Sequence, residues 1–358
     1  MMHTGFSKRI MFVGIILGAL AGLFVGATES RGQDSVPPEQ VAAHVHAVIE
    51  ADRSLYTEFV VERLQQAGKV IASRHWKNRS QLPLPAQMLM FAGLEVEGMG
   101  SGLKYRLASL WPLEEENGPA NDFEKAGLEV VADDPSEVYS GMIKRGKQKY
   151  FKAIYADKAV SQSCVECHNG HLLSPKRDYK LGDVMGGVII SFPVDDAISL
   201  EQVAAYVHAV IEADRTLYTK LVVERMQQAG IVLATQNWKK YRSQLPLPAQ
   251  MLLLAGLEVE GMGSGLKYRL ASLWPLEEEN GPANDFEKAG LEVVADDPSE
   301  VYSGMIKRGK QKYFKAIYAD KAVSQSCVEC HNGHLLSSKR DFKLGDVMGG
   351  VIISFPIE

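Results

Sequence analysis

Cysteine is scarce in this sequence and is confined to two short motifs. All four cysteines of the 358 residues stand in Cys-x-x-Cys-His pentads, at residues 164–168 and 327–331. No cysteine is left over for a network of structural disulfides. None is left to coordinate a metal ion from outside the pentads either.

The sequence also lacks an excess of positive charge. Its formal net charge is −5, and its 46% hydrophobic and 23% charged residues are ordinary for a compact globular protein. Proteins that bind nucleic acid carry a basic patch that neutralises phosphates. We therefore expect no nucleic-acid partner, and we expect a charged protein partner to present a basic surface.

Long apolar runs are scarce too, apart from one at residues 10–25. Lys8 and Arg9 precede this run, and Val25-Gly26-Ala27 places small residues where signal peptidase cuts. The run is near the short end of what spans a bilayer. We predict that residues 1–27 are a signal peptide or an N-terminal anchor. The exported protein would be periplasmic or held at the outer face of the cytoplasmic membrane.

The pentads predict covalent haem. In the attachment motif of c-type haem, two thiols add to the vinyl groups of the porphyrin and the adjacent histidine coordinates the iron. We therefore predict two covalently attached haem c groups, which agrees with export because this attachment takes place outside the cytoplasm. The predicted thioether residues are Cys164, Cys167, Cys327 and Cys330, and the predicted proximal iron ligands are His168 and His331.

Two other uses of the pentads stay open. A thioredoxin-like redox pair follows a strand in a βαβ unit, whereas a polar, helix-like segment at residues 159–163 precedes the first pentad. A zinc site could recruit His171 or His334. Structural zinc sites usually separate their ligand pairs by about a dozen residues, so this compact spacing disfavours zinc.

The two pentads belong to two copies of one long segment. Residues 39–43 return as residues 201–205, and residues 80–174 differ from residues 243–337 at only two positions. The period is far longer than that of solenoid repeats. We predict a tandem duplication of a whole domain, with domains at residues 36–195 and 198–358.

Each copy predicts helices followed by antiparallel strands, which is an α+β order. Residues 40–67 form a helical pattern that Gly68 ends, and residues 86–94 form a shorter one. Residues 137–144 and 148–155 flank Arg145-Gly146-Lys147 as a hairpin. The other predicted elements are a strand at 104–111, a helix from Asn121 or Asp122 to Val131, a helical turn at the pentad and a buried strand at 183–192.

The order of motifs along each copy resembles a known family. An Ala-Asp-Arg-x-x-Tyr helix, Leu-Pro-Leu-Pro-Ala-Gln, Asn-Gly-Pro-Ala-Asn-Asp-Phe-Glu, Cys-x-x-Cys-His-Asn and Gly-Asp-Val-Met-Gly-Gly follow one another twice. This order resembles a domain family of unknown function whose members are PAS-like c-type haem modules. Such modules occur alone and as the extracytoplasmic sensing part of signalling proteins. The resemblance covers nearly the whole chain after the N-terminal segment.

The resemblance implies two tandem PAS-like domains, each an antiparallel sheet flanked by N-terminal helices, with haem c attached near a C-terminal helical turn. It also implies that His168 and His331 are the proximal ligands and that the protein senses redox state. One departure matters. The structurally known type in that family completes its iron coordination with a Cys outside the pentad, and this sequence has none.

A sixth iron ligand must therefore be another residue that both copies share. His46 and His208 are the first choice, because neutral imidazole suits iron. They share a helix face with Arg53 and Arg215, whose guanidinium groups could pair with haem propionates. The alternatives are an open site or one of Met88, Met251, Met185 and Met348. His171 and His334 lie too near the proximal histidine to reach the other face of the haem.

The sixth ligand decides the predicted function. Two protein ligands saturate the iron, which predicts redox sensing or one-electron transfer. An open position predicts instead a sensor of NO or CO, or a peroxidase-like enzyme. No acid–base constellation stands beside the pentads, which favours a protein that is not an enzyme. No kinase, cyclase or receptor segment follows the second copy, so the expected partner is a redox protein or a separate signalling protein.

Overall fold

The computed structural model describes residues 35–78, 80–195 and 197–357. The predicted signal peptide or anchor at residues 1–27 lies outside the described residues. Within the described ranges, no helix is both long enough and apolar enough to cross a membrane.

The two copies share one order of helices and strands, to which the second copy adds a short pair of strands. In the first copy these are α1 (Pro38–Tyr56), a π-helical stretch (Thr57–Glu62), α2 (Arg63–Gln66), α3 (Pro85–Gly98), β1 (Lys104–Ala108), α4 (Asp122–Asp133), β2 (Tyr139–Arg145), β3 (Gln148–Lys158), α5 (Gln162–Gly170) and β4 (Val184–Pro193). In the second copy they are α6 (Leu200–Leu217), a π-helical stretch (Tyr218–Glu224), α7 (Arg225–Gln228), β5 (Leu233–Ala234), β6 (Gln244–Leu245), α8 (Pro248–Gly261), β7 (Lys267–Ala271), α9 (Asp285–Asp296), β8 (Tyr302–Arg308), β9 (Gln311–Lys321), α10 (Gln325–Gly333) and β10 (Val347–Ile357). The predicted mixture of helices and antiparallel strands is confirmed.

The first helical segment is continuous from α1 through the π-helical stretch into α2, as predicted for residues 40–67. It ends before Gly68, whose φ of +63° is the left-handed conformation that closes many helices. The π-helical turns were not predicted. They begin where the hydroxyl of Thr57 donates to the carbonyl oxygen of Arg53 at 2.8 Å, a side-chain bond that competes with the regular helix ladder.

Each copy contains one four-stranded antiparallel sheet. The strand order is β1-β4-β3-β2 in the first copy and β7-β10-β9-β8 in the second. The predicted hairpin is confirmed as β2 and β3, and Gly146 at its turn has a φ of +62°. Side chains alternate across β3, so Tyr155 joins the cluster under α1 while Ile154 packs with Leu128 of α4 on the other face.

The helices of the two copies share one hydrophobic core. A single cluster of buried residues includes side chains of both α1 and α6, and α1 packs on α8 as α6 packs on α3. The contacts are reciprocal. Arg63 donates to the carbonyl oxygen of Trp238 at 2.6 Å, and Arg225 donates to that of Trp76 at 3.1 Å. The copies therefore meet as the two halves of a symmetric dimer do.

Candidate functional site

The first pentad lies on the short helix α5. The helix begins after Ser161, whose side chain accepts a hydrogen bond from the backbone N–H of Cys164 at 3.4 Å, a normal N-cap arrangement. Cys164 and Cys167 are three residues apart in the helix, so their side chains lie on neighbouring positions of one face. The second pentad has the same arrangement on α10, with Ser324 before Cys327. The predicted helical turn is confirmed.

The four thiols are free in the described residues, and Cys167 and Cys330 are exposed. Cys167 is exposed as a residue, but partial burial of its sulfur, followed by the neighbouring Cys164, raises the pKa of the thiol. A reactive redox pair of the thioredoxin type has a lowered thiol pKa, so this shift does not favour that use of the pentad. In the part of the chain that the structure describes, no group of three or more His, Cys, Asp or Glu side chains could hold a metal ion, so the Cys2His2 zinc arrangement is not formed there.

A small apolar cluster adjoins α5. Tyr179, Met185 and Val165 are buried in it, and Trp111 and Cys164 pack against it. The rings of Trp111 and Tyr179 meet edge to face at 6.3 Å. Asn169 of α5 holds the segment in place, because its side chain donates to the carbonyl oxygen of Tyr179 at 2.9 Å and accepts from its N–H at 3.0 Å. The thiols thus stand beside an aromatic and apolar surface.

The pentad histidine faces this cluster. The ring of His168 meets that of Tyr179 edge to face at 5.8 Å, and its buried Nδ1 has no hydrogen-bond partner in the part of the chain that the structure describes. Burial lowers the pKa of His168, although the charge of Asp157 opposes the shift. The imidazole is therefore neutral at neutral pH, which is the form that coordinates a metal. His331 has the same surroundings, with Phe342 in place of Tyr179.

Arg53 is already engaged by acidic partners. Its guanidinium lies 3.1 Å from Asp157 and 3.2 Å from Glu50, and it also donates to the carbonyl oxygen of Lys158 at 3.3 Å. Burial alone would lower the pKa of Arg53, but the charges of Asp157 and Glu50 outweigh burial and raise it. Arg215 is held in the same way, 2.7 Å from Asp320. The sequence predicted these arginines as partners of haem propionates and did not reveal their protein partners.

His46 lies between α1 and β3. Its ring stacks on that of Tyr155 at 3.9 Å with an interplanar angle of 10°, and its buried Nε2 has no hydrogen-bond partner within residues 35–78, 80–195 and 197–357. Burial, with a smaller contribution from the charge of Arg53, lowers the pKa of His46 to about 3. His208 stacks on Tyr318 at 4.0 Å, and burial lowers its pKa to about 4. Both imidazoles are neutral at physiological pH.

The sequence reasoning missed three contributors to this site, namely Trp111, Tyr179 and Asp157. A signal for Tyr179 was present, because an aromatic residue stands in an otherwise charged segment at this position in both copies. Asp157 had no such signal. Its role depends on the packing of β3 against α1, which brings it to Arg53 across a long sequence separation.

Comparison with known proteins identifies the family. The model of the Tll0287-like family (Tll0287) matches this chain twice, at residues 36–193 and 198–356. The crystal structure of the cyanobacterial heme-protein Tll0287 is similar at 15% sequence identity and a TM-score of 0.27, over 45% of this chain and 100% of that chain. No curated protein matches the chain. The two family matches confirm the predicted tandem duplication, and the chain belongs to the Tll0287-like family.

Proposed function

We propose that this protein is an exported haem protein that carries two covalently attached haem c groups and acts in one-electron transfer or redox sensing. One observation carries the proposal. In each copy, two free thiols on one face of a short helix stand beside a neutral histidine and an aromatic, apolar cluster. The chain belongs to the Tll0287-like family, and the protein Tll0287 is described as a heme-protein, which supports the same cofactor.

The residues of each copy fit this cofactor. The thiols of Cys164 and Cys167 would add to the two vinyl groups, and His168 would coordinate the iron from the same helix. Trp111 and Tyr179 offer apolar contact surface beside Cys164. Cys327, Cys330 and His331 would do the same in the second copy. When bound, the iron of each haem supplies a site that gains or loses one electron.

We also propose His46 and His208 as the sixth ligands. Both are neutral, both have an unpartnered Nε2, and both copies keep them. Arg53 and Arg215 are already paired with Asp157 and Asp320. Each arginine would therefore contact a haem propionate while it also keeps its acidic partner. Two histidine ligands saturate the iron, which favours electron transfer or redox sensing over binding of NO or CO and over peroxidase chemistry.

The fold agrees with this role. In each copy, helices cover an antiparallel sheet, an arrangement that supports the PAS-like architecture the family resemblance implies. The expected location is the periplasm or the outer face of the cytoplasmic membrane. The expected partner is a redox protein with a basic surface or a separate signalling protein, because the chain is acidic overall.

Haem content tests the proposal directly. The full chain is exported in a host that attaches c-type haem, and covalent haem is counted per chain by mass and by the absorbance of its pyridine complex. We expect two haems, one after Cys164→Ser with Cys167→Ser, and none when all four cysteines are changed. Val165→Ala, within the pentad, is the matched control and should retain both haems. A full haem load in the variant that lacks all four cysteines would contradict the proposal.

A further inference from the structure

A cavity lies between the two copies, and none of its lining residues belongs to α5 or α10. It has a volume of about 40 Å³, which is room for about three water molecules. Asp52, Tyr56 and Tyr105 line it, together with their counterparts Asp214, Tyr218 and Tyr268. The two copies thus contribute equivalent side chains to one partly open cavity at their interface.

Two carboxyl groups face each other in this cavity. Asp52 and Asp214 line the same cavity, and each carboxyl group acts on the pKa of the other. Each aspartate lines the cavity and is partly accessible to water. Burial raises the pKa of both carboxyls, that of Asp52 to about 7. The pair therefore shares a proton near neutral pH, since two buried carboxylates in contact repel each other.

Within the described residues, no cationic side chain is paired with either aspartate. Arg53 and Arg215 also line the cavity, but their guanidinium groups are engaged by Asp157 and Asp320. Neither arginine contributes to the pKa of Asp52 or Asp214. The negative charge that the pair gains on losing its proton is thus left uncompensated within the cavity.

Two tyrosine hydroxyl groups in the same cavity lack partners. Those of Tyr105 and Tyr268 are buried with no hydrogen-bond partner among the described residues, and each residue is only 6% exposed. Burial, followed by the charges of Asp52 and Asp214, raises the pKa of both phenols, so the four groups are close together. The other two tyrosines are satisfied, because Tyr56 and Tyr218 donate to backbone carbonyl oxygens at 2.8 Å.

We propose that this cavity binds a small monovalent cation, of the size of ammonium or potassium, between Asp52 and Asp214, with the hydroxyl oxygens of Tyr105 and Tyr268 completing its surroundings. The carboxylates exclude an anion, and a cavity of about 40 Å³ favours a small cation over a larger amine. The cation replaces the shared proton, so it competes with protons for the site.

Thermal unfolding of the full-length haem-loaded protein tests the site. Ammonium, potassium and tetramethylammonium chlorides are compared at equal ionic strength, which keeps screening of surface charge constant. At about pH 8, we expect ammonium or potassium to raise the Tm by several degrees over tetramethylammonium, and the shift to grow with cation concentration. At about pH 5 the proton occupies the pair, so the shift should disappear.

Variants link the shift to the cavity. Asp52→Asn with Asp214→Asn should abolish it, whereas Glu58→Gln, which removes an exposed charge from the adjoining π-helical stretch, should leave it intact. If the double asparagine variant does not fold, Tyr105→Phe with Tyr268→Phe should cut the shift at least by about half without changing the net charge. Equal Tm values in the three salts at about pH 8 would overturn the proposal. A Tm shift that stays the same in the tyrosine variant would overturn it too. In either case the cavity holds only water and a shared proton.

Discussion

The guanidinium of Arg53 lies 3.1 Å from the carboxylate of Asp157, and this ion pair joins α1 to the strand that leads to the pentad helix. Asp157 also acts on His168, whose pKa it raises against the effect of burial. In the second copy, Arg215 and Asp320 form the same link at 2.7 Å. One acidic side chain, that of Asp157, thus links α1, which carries the proposed sixth ligand, to α5, which carries the thiols.

Asp157→Asn should destabilise the protein. Removing one partner of a buried ion pair costs about 3–5 kcal/mol, and we expect the lower end because Glu50 still accompanies Arg53. Urea unfolding at neutral pH measures the change in free energy. Asp178→Asn, which removes the partner of Lys176 at the exposed surface, is the control and should leave the stability unchanged. A similar result for both variants would contradict the importance of the buried pair.

His46→Ala with His208→Ala should change the haem spectrum. If the two histidines coordinate the irons, their loss opens the sixth position and converts a low-spin spectrum to a high-spin one that responds to CO. Absorbance of the reduced protein with and without CO records this change. Met185→Leu with Met348→Leu is the matched comparison, because Met185 is buried in the cluster beside Cys164. A spectrum that stays low-spin without the histidines would show that our ligand assignment is wrong.

His44→Tyr should make the protein less sensitive to acid. Both ring nitrogens of His44 are buried without partners, and burial lowers its pKa to about 4. Because an unfolded histidine takes up its proton near pH 6.5, wild-type stability should fall as the pH drops from about 6.5 to about 4, by roughly 3 kcal/mol at most. The second copy has Tyr206 here, whose hydroxyl accepts a hydrogen bond from Gln202 at 2.8 Å.

The measurement for His44 is the free energy of unfolding as a function of pH. The difference between His44→Tyr and the wild type should widen as the pH falls through this range. His75→Tyr serves as the control, because this histidine is exposed and the second copy has no counterpart. A constant difference between the His44 variant and the wild type would indicate a packing effect without proton linkage.

Tyr179→Phe should stabilise the protein slightly. The hydroxyl of Tyr179 is buried without a partner, whereas the second copy has Phe342 in equivalent packing. An unsatisfied buried hydroxyl costs about 1–3 kcal/mol, so its removal should recover part of that amount. The reciprocal Phe342→Tyr should lower the stability by a comparable amount. Thermal or urea unfolding checks both, and opposite signs from those expected would show that the hydroxyl is solvated.

Local elements were predictable from the sequence, and contacts between distant residues were not. The stop at Gly68 and the hairpin around Gly146 follow from backbone preferences of single residues, and both are confirmed. The π-helical turns after Tyr56 were missed, because they depend on a side-chain bond within a helical pattern that is otherwise regular. The facing of Asp52 and Asp214 was also missed, because each is an ordinary polar residue of a helix until the copies pack together.

The sequence by itself determined the candidate attachment sites and the duplication, because a thioether pair and its histidine need only adjacent positions in the chain, and a repeated segment is visible in the residues themselves. Only the tertiary structure decided that Arg53 is paired with Asp157, that Trp111 and Tyr179 adjoin the pentad, and that two aspartates share one cavity. Burial and charge pairing arise from residues far apart in the chain, and no local sequence pattern shows which of these residues come into contact.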